Sequence, residues 1–264
     1  MHPIHTALAA IWPALLDLAD DIADEDWSSP SVLPGWTVAD LFAHLGHVEG
    51  MVHGFPQPDT PHDFAFEGAP LHIVTNSGVA ARRAWSRAEV VDELRRAVSA
   101  TLEQLAGLDE AGWQAPALSP IGPTTFEQAM ELRNGDACAH LFDLLVSTDQ
   151  YQEHRRVPES EAALVARAVR LSPWAAVKRA GLADGTRVRL DLSGPAGVAA
   201  DLVVEGGRGR LEEARGEPDA VISGPGIAYA LRAGGRRHPA ELVSALEVAG
   251  EPAERLLETY RLFG

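Results

Sequence analysis

The chain has a single cysteine, Cys138, among its 264 residues. One thiol cannot form an internal disulfide, and no second thiolate exists with which it could bind zinc as zinc fingers do. Any metal bound by this chain must therefore be held by histidine and carboxylate side chains. The sequence supplies ten histidines and 38 acidic residues for that purpose.

Basic residues are also scarce. Lysine and arginine number 22 against 38 aspartates and glutamates, which gives a formal net charge of −16 at pH 7. Binding to a phosphate backbone requires clustered cations that displace counterions. We therefore expect no nucleic-acid partner.

Long apolar runs are missing as well. No uninterrupted stretch approaches the roughly 20 apolar residues that cross a bilayer. The first segment, MHPIHTALAAIWPALLDLAD, lacks the basic start of a signal peptide and acquires acidic residues where a cleavage site would lie. The sequence thus predicts a cytoplasmic protein without membrane attachment.

Hydrophobic residues make up 46% of the chain. In the first part of the chain they recur at the spacing of an α-helix. Thr37 is followed at the third position by Asp40, a capping-box pattern that predicts a helix start, with Trp36 placed to pack on Leu41. The loop-like residues 55–70 that come after this helix are expected to carry substrate contacts. Helices are predicted over residues 5–25, 38–54, 86–108 and 126–150. Four such helices predict a bundle over residues 1–152.

A different pattern occupies residues 153–264. A helix near 160–180 is followed by alternating segments, separated by glycine-rich turns, which read TRVRLDL, VAADLVV, RGRLEE and DAVIS. Two short helical stretches, around 226–233 and 251–262, close the chain. The sequence therefore predicts an α+β protein with two domains, a helical bundle and then a smaller α/β domain.

Three residues of the helical part form a candidate metal site. Asp136 and His140 are four residues apart on the fourth predicted helix, so their side chains leave it from one face. Antiparallel packing in a bundle can bring His44 opposite this pair. Two imidazoles and one carboxylate suit zinc with one coordination position left open, and iron or nickel accept the same ligands. The alternative is that Asp136 and His140 are surface residues of the helix whose spacing of four arises by chance.

Two segments carry a resemblance to a known family. LPGWTVADLFAHLGHVEG and RNGDACAHLFDL resemble the DinB-like metalloenzymes of actinobacteria, specifically the mycothiol-dependent maleylpyruvate isomerase family. The resemblance implies that His44, Asp136 and His140 hold a divalent metal, with zinc as the first choice, and that mycothiol is the cofactor. It also implies a DinB-like four-helix bundle followed by a sterol-carrier-like domain. The best-known members carry Glu where this chain has Asp136.

Neighbours of these three residues admit two interpretations each. His47 is either a catalytic acid or further ligand, or an exposed neighbour of the site. Asp143 is either a hydrogen-bond partner of the His140 imidazole or a solvated acid. Cys138 is expected to be buried filler, and Glu49 is expected on the helix surface rather than as a catalytic base.

Arginines cluster near the end of this acidic chain. Arg232, Arg236 and Arg237 surround the segment ALRAGGRRHP. Arginine pairs with carboxylates through a planar set of donors, and the two glycines before Arg236 let the backbone approach a partner closely. The position resembles the late GR segment of the isomerase family, which implies that Arg236 acts in catalysis and that Arg236 and Arg237 bind the cofactor. Solvated surface charges are the alternative.

The resemblance implies a metal-dependent enzyme that uses mycothiol for isomerisation or S-transfer on a small electrophilic substrate. Two alternatives stay open. One is a metal-dependent hydrolase or lyase that activates water, and the other is a non-catalytic binding protein with a structural metal. We expect a monomer or a weak dimer.

Overall fold

The computed structural model describes residues 1–56, 71–119 and 122–262. Part of the loop predicted over residues 55–70, from residue 57 onward, lies outside the described residues. The chain divides into two compact units, Met1–Arg133 with His140–Arg155, and Asn134–Ala139 with Arg156–Gly264. The boundary between residues 152 and 153 stays a prediction.

The N-terminal region is helical, as predicted. In chain order its elements are α1 (Pro3–Asp21), α2 (Asp24–Trp27), α3 (Val38–Val52), α4 (Leu71–Arg82), α5 (Arg87–Ala106), α6 (Glu110–Trp113), β1 (Pro116–Ser119), β2 (Gly122–Thr125) and α7 (Phe126–Ser147). α7 contributes residues to both units. The prediction of four helices omitted α4, and β1 and β2 form an antiparallel hairpin in a proline-rich stretch with no strand pattern.

The segment predicted as one helix over residues 5–25 forms two helices. Asp20 and Asp21 lie at the end of α1, where the negative end of the helix dipole disfavours acidic side chains. The backbone becomes extended at Ile22, and Asp24 then begins α2, where the same dipole favours an acid.

α3 is the most enclosed helix of the first unit. Its predicted capping box is confirmed, because the Asp40 N–H donates to Thr37 Oγ1 at 3.1 Å and the Thr37 N–H donates to Asp40 Oδ2 at 3.0 Å. α4 and α5 pack against it, and most of its residues are buried. Gly46 permits the approach of α5, since a Cβ there would lie 3.4 Å from the backbone nitrogen of Leu94.

The second unit contains a five-stranded mixed sheet with helices. Its elements are α8 (Pro158–Lys178), β3 (Arg187–Ser193), β4 (Val198–Glu205), β5 (Arg208–Glu213), β6 (Ala220–Pro225), α9 (Gly226–Ala233), α10 (Ala240–Ser244), β7 (Glu247–Ala249) and α11 (Glu251–Thr259). The strand order is β5-β4-β3-β6-β7, in which β3 and β6 are parallel and the other pairs are antiparallel. The four predicted strands are confirmed, whereas β7 and α10 were not predicted.

The core of this unit follows from the strand alternation. Leu190 of β3 lies between Ala200 of β4 and Ile222 of β6, and all three are buried. α8 packs against β4, β5 and α9. Among the helices of the described residues, none combines the length and apolar character needed to span a membrane.

A buried acid interrupts the apolar pattern of β4. Asp201 accepts hydrogen bonds from the guanidinium groups of Arg189 and Arg187 and from the backbone N–H of Arg215. The Arg189 hydrogen bond contributes most to holding the pKa of this carboxyl well below its usual range. Asp201 is therefore ionised and paired, which makes its burial tolerable.

Candidate metal centre

The structure brings the three predicted ligands together. His44 lies in the second turn of α3, and Asp136 and His140 are one turn apart on α7. One ligand atom from each of the three side chains lies within 4.8 Å of the other two. The two imidazole rings approach edge to face, with their centroids 4.9 Å apart. Within the described part of the chain, no further histidine, cysteine or acidic residue joins this group.

The donor set fits a divalent metal. Nitrogen and oxygen ligands of zinc lie about 2.0–2.2 Å from the ion, so two ligands of one ion are at most about 4.4 Å apart. Small side-chain rotations would close the group to that distance. His44 and His140 are 5% and 4% exposed, while Asp136 is half-buried. The three residues could therefore hold an ion that is shielded on the histidine side and accessible beside the carboxylate.

Asp143 fixes the His140 imidazole. Its Oδ2 lies 2.9 Å from His140 Nδ1, and its side chain is fully buried. The interpretation of Asp143 as a solvated acid is therefore wrong, and the hydrogen bond to His140 is confirmed. With Nδ1 engaged in this way, Nε2 is the nitrogen of His140 that remains for a metal.

Replacing Asp143 by Asn should weaken metal binding by about 10- to 100-fold, because the amide is a poorer acceptor for the imidazole N–H. The dissociation constant for Zn²⁺, measured by competition with a chelating dye, checks this. Asp17→Asn on the exposed face of α1 is the control and should leave the constant unchanged. An Asp143→Asn protein with wild-type affinity would limit Asp143 to a packing role.

Trp36 is a site neighbour whose position the sequence pattern did not predict. Its ring lies 5.2 Å from the His44 ring and 6.3 Å from the His140 ring. Its indole N–H donates to Asn76 Oδ1 of α4 at 3.1 Å. Trp36 therefore lies against both candidate histidine ligands, and its packing on Leu41 stays a prediction.

His47 and Glu49 are both buried, so the interpretation of His47 as an exposed neighbour and the expectation of Glu49 on the helix surface are wrong. His47 is 4% exposed, and its ring occupies the space where a side chain on Gly78 would stand. Glu49 accepts a hydrogen bond from Arg133 Nε at 2.9 Å and another from the Thr101 hydroxyl. Enclosure of α3 by α4 and α5 explains both errors, because a helix covered on several sides has no solvent face.

Cys138 is buried, as predicted. Burial raises the pKa of its thiol to about 12, with a smaller opposing contribution from a hydrogen bond to Ser160. The thiol is therefore protonated at neutral pH, and it does not belong to the group formed by His44, Asp136 and His140.

The predicted arginines lie at the end of α9 in the second unit. The backbone N–H of Arg236 donates to Leu231 O, and its Nη1 lies 3.3 Å from Gly234 O. Burial lowers the pKa of Arg237, and the positive charges of Arg232 and Arg261 lower it further. Several like charges thus meet in one part of this acidic chain, while the catalytic and cofactor-binding roles of Arg236 and Arg237 stay predictions.

Comparison with known proteins identifies the family. A model of the mycothiol maleylpyruvate isomerase N-terminal domain matches residues 8–145, which is more than half of the chain. The chain therefore belongs to this family, and the predicted resemblance is confirmed.

Two solved structures share the fold over nearly the whole chain. They are the mycothiol-dependent maleylpyruvate isomerase, with 15% identity and a TM-score of 0.61, and a mutant of that protein, with 14% identity and a TM-score of 0.60. Each comparison covers 94% of this chain and 93% of the other. No curated protein matches the sequence.

Proposed function

We propose that this chain is a metal-dependent enzyme that uses a low-molecular-weight thiol, mycothiol, in isomerisation or S-transfer on a small electrophilic substrate. The observation that carries the proposal is the group formed by His44, Asp136 and His140 in a chain of this family. Zinc is the metal that such ligands suit best.

The ligand count favours catalysis over a structural metal. Structural zinc sites are closed by four protein ligands, whereas catalytic sites keep a position open. In the part of the chain that the structure describes, three side chains form the group, and His47 is not among them. A non-catalytic site completed by His47 has no support in this arrangement.

The residues around the group have separate tasks. Asp143 holds the proton of His140 at Nδ1, which leaves the Nε2 lone pair for coordination. The Trp36 ring lies against both imidazoles. A divalent metal held there supplies a Lewis acid that lowers the pKa of a coordinated thiol or water.

The test compares mycothiol with its S-methyl thioether, which is larger by one methyl group and has no ionisable thiol. Zinc-loaded protein is expected to convert maleylpyruvate or another cis-configured electrophile with mycothiol and not with the thioether. Native mass spectrometry of protein from a mycothiol-producing host should show one metal and bound thiol. Equal turnover without any thiol would instead support the water-activating hydrolase or lyase.

Arg236→Ala is expected to retain the metal and the fold while thiol-dependent turnover falls by about 10- to 100-fold, the range expected for loss of a charge-assisted hydrogen bond to an anionic group. Steady-state kinetics measures the fall in turnover, and metal analysis checks that the metal is retained. Arg208→Ala, an exposed arginine of β5 in the same unit, is the matched control. Wild-type turnover by the Arg236 variant would remove that residue from the proposed machinery.

A further inference from the structure

A cavity of about 810 Å³ lies in the first unit beside the start of α3. Three of the six tryptophans in the chain, Trp27, Trp36 and Trp85, line it, and each ring is half-buried. Pro34 and Val90 add further apolar surface. Cavities that bind small molecules have volumes of about 300–1,000 Å³ and mainly apolar or aromatic walls. Both the size and the lining therefore suit a small organic ligand.

The protein itself holds two of the indoles in place. Trp27 stacks on Phe42 with centroids 5.2 Å apart, and the Arg87 guanidinium lies 5.0 Å from its ring. The Arg82 guanidinium lies 5.1 Å from the Trp85 ring. Arg82 is in turn paired with Glu93, so it is not free to move. The aromatic walls thus exist before a ligand binds, which reduces the entropy lost on binding.

Arg83 adds a cationic group to this wall. Its Nε and Nη2 donate to the Asp40 carboxylate at 3.2 and 3.0 Å, and Nη2 also donates to Gly35 O at 3.1 Å. These bonds fix the guanidinium plane, while the side chain remains 56% exposed. Within the described residues, Nη1 of Arg83 donates to no protein atom. Its N–H groups therefore remain for an acceptor on the ligand, and a carboxylate matches them best.

Trp36 connects this cavity with the candidate metal centre. The same ring that lines the cavity lies 5.2 Å from the His44 ring and 6.3 Å from the His140 ring. Ala43, the residue before His44, also lines the cavity. A ligand seated there would be separated from two of the proposed ligand histidines by a single indole.

We propose that this tryptophan cavity binds a planar, unsaturated carboxylate, with the ring or conjugated system against the indoles and the carboxylate on Arg83. The inference goes beyond the proposed function, because the Trp36 indole separates the cavity from the candidate ligand histidines, and a ligand bound there is not the electrophile that would react at the metal. Binding itself requires only the cavity and does not depend on the metal.

Naphthoate is the probe, and its dissociation constant is measured by calorimetry with metal-loaded and with metal-stripped protein. Saturable binding is expected in both. The neutral naphthyl carbinol tests the carboxylate, and the saturated decahydronaphthoate tests planarity. Each should bind about tenfold more weakly, because one lacks the anion and the other cannot stack.

Two variants locate the binding site. Arg83→Gln should weaken naphthoate binding by about tenfold and Trp85→Ala by about fivefold, and circular dichroism checks that both fold. The first matched control is Trp174→Ala in the other unit, because Trp174 is 48% exposed and the Arg179 guanidinium lies 5.3 Å from its ring. The second is Arg215→Gln, because Arg215 pairs with Glu213 on the surface. Neither control should change the affinity.

The outcomes separate this inference from the proposed function. No saturable binding of naphthoate, or binding that is unchanged in both Arg83→Gln and Trp85→Ala, would overturn the cavity inference even if thiol-dependent turnover is normal. The opposite outcome is a protein that binds naphthoate through Arg83 and Trp85 but shows no thiol-dependent turnover. That result would support the cavity inference and reject the proposed function.

Discussion

Asp136→Ala is expected to lower the affinity for Zn²⁺ by more than about 100-fold, beyond the range produced by residues that only orient a ligand. The carboxylate is one of three ligands, and it is the most accessible of them. Two histidines alone cannot complete a tetrahedral site without two solvent ligands. Metal content after dialysis and chelator competition provide the measurement.

The choice of variant matters at this centre. His140→Ala would leave the Asp143 carboxylate buried without its imidazole partner, so part of its effect would be lost stability. Asp136→Ala and His44→Ala avoid this, and both are expected to lose the metal. His154→Ala, at an exposed histidine, is the control. One full equivalent of metal in dialysed Asp136→Ala protein would remove Asp136 from the ligand set.

Glu49→Ala is expected to reduce the free energy of unfolding by about 3–5 kcal/mol, the cost of removing one partner of a buried ion pair. Glu49 of α3 and Arg133 of α7 lie 2.9 Å apart, with 0% and 8% of their side chains exposed. Removing the carboxylate leaves a guanidinium in the core that water cannot solvate. Denaturation in urea, followed by circular dichroism, measures the change.

A paired replacement distinguishes charge from packing. Glu49→Leu combined with Arg133→Met removes both charges at similar volume and should recover most of the lost stability. Glu213→Ala, which breaks the exposed pair with Arg215, should change stability by less than about 1 kcal/mol. Equal effects of Glu49→Ala and Glu213→Ala would mean that water reaches Glu49 after all.

The parts of the fold that were predicted are those with local signals. The capping box of Thr37 and Asp40 is complete within four residues, and the spacing of Asp136 and His140 places both on one helical face without knowledge of the partner helix. The strands of the second unit show in their alternation. The segment of α4, LHIVTNSGVAAR, combines Thr, Asn, Ser and Gly with few periodic apolar positions, so no comparable signal marked it.

The features that were missed depend on contacts between distant segments. Nothing near Glu49 in sequence indicates that Thr101 and Arg133 will surround it. The same holds for the tryptophan cavity, since Trp27, Trp36 and Trp85 come from three segments with no common period. Burial of a polar residue is decided by what covers it, and a single sequence does not state that.

His47 and Gly78 are packed so closely that the size of one side chain limits the size of the other. A Cβ on Gly78 would lie 2.0 Å from His47 Cδ2, which is closer than two carbon atoms that are not bonded can approach. The imidazole therefore occupies the space that a larger residue on α4 would need. A larger residue at position 78 therefore requires a smaller one at position 47, whereas a smaller residue at position 47 alone would leave a cavity beside Gly78.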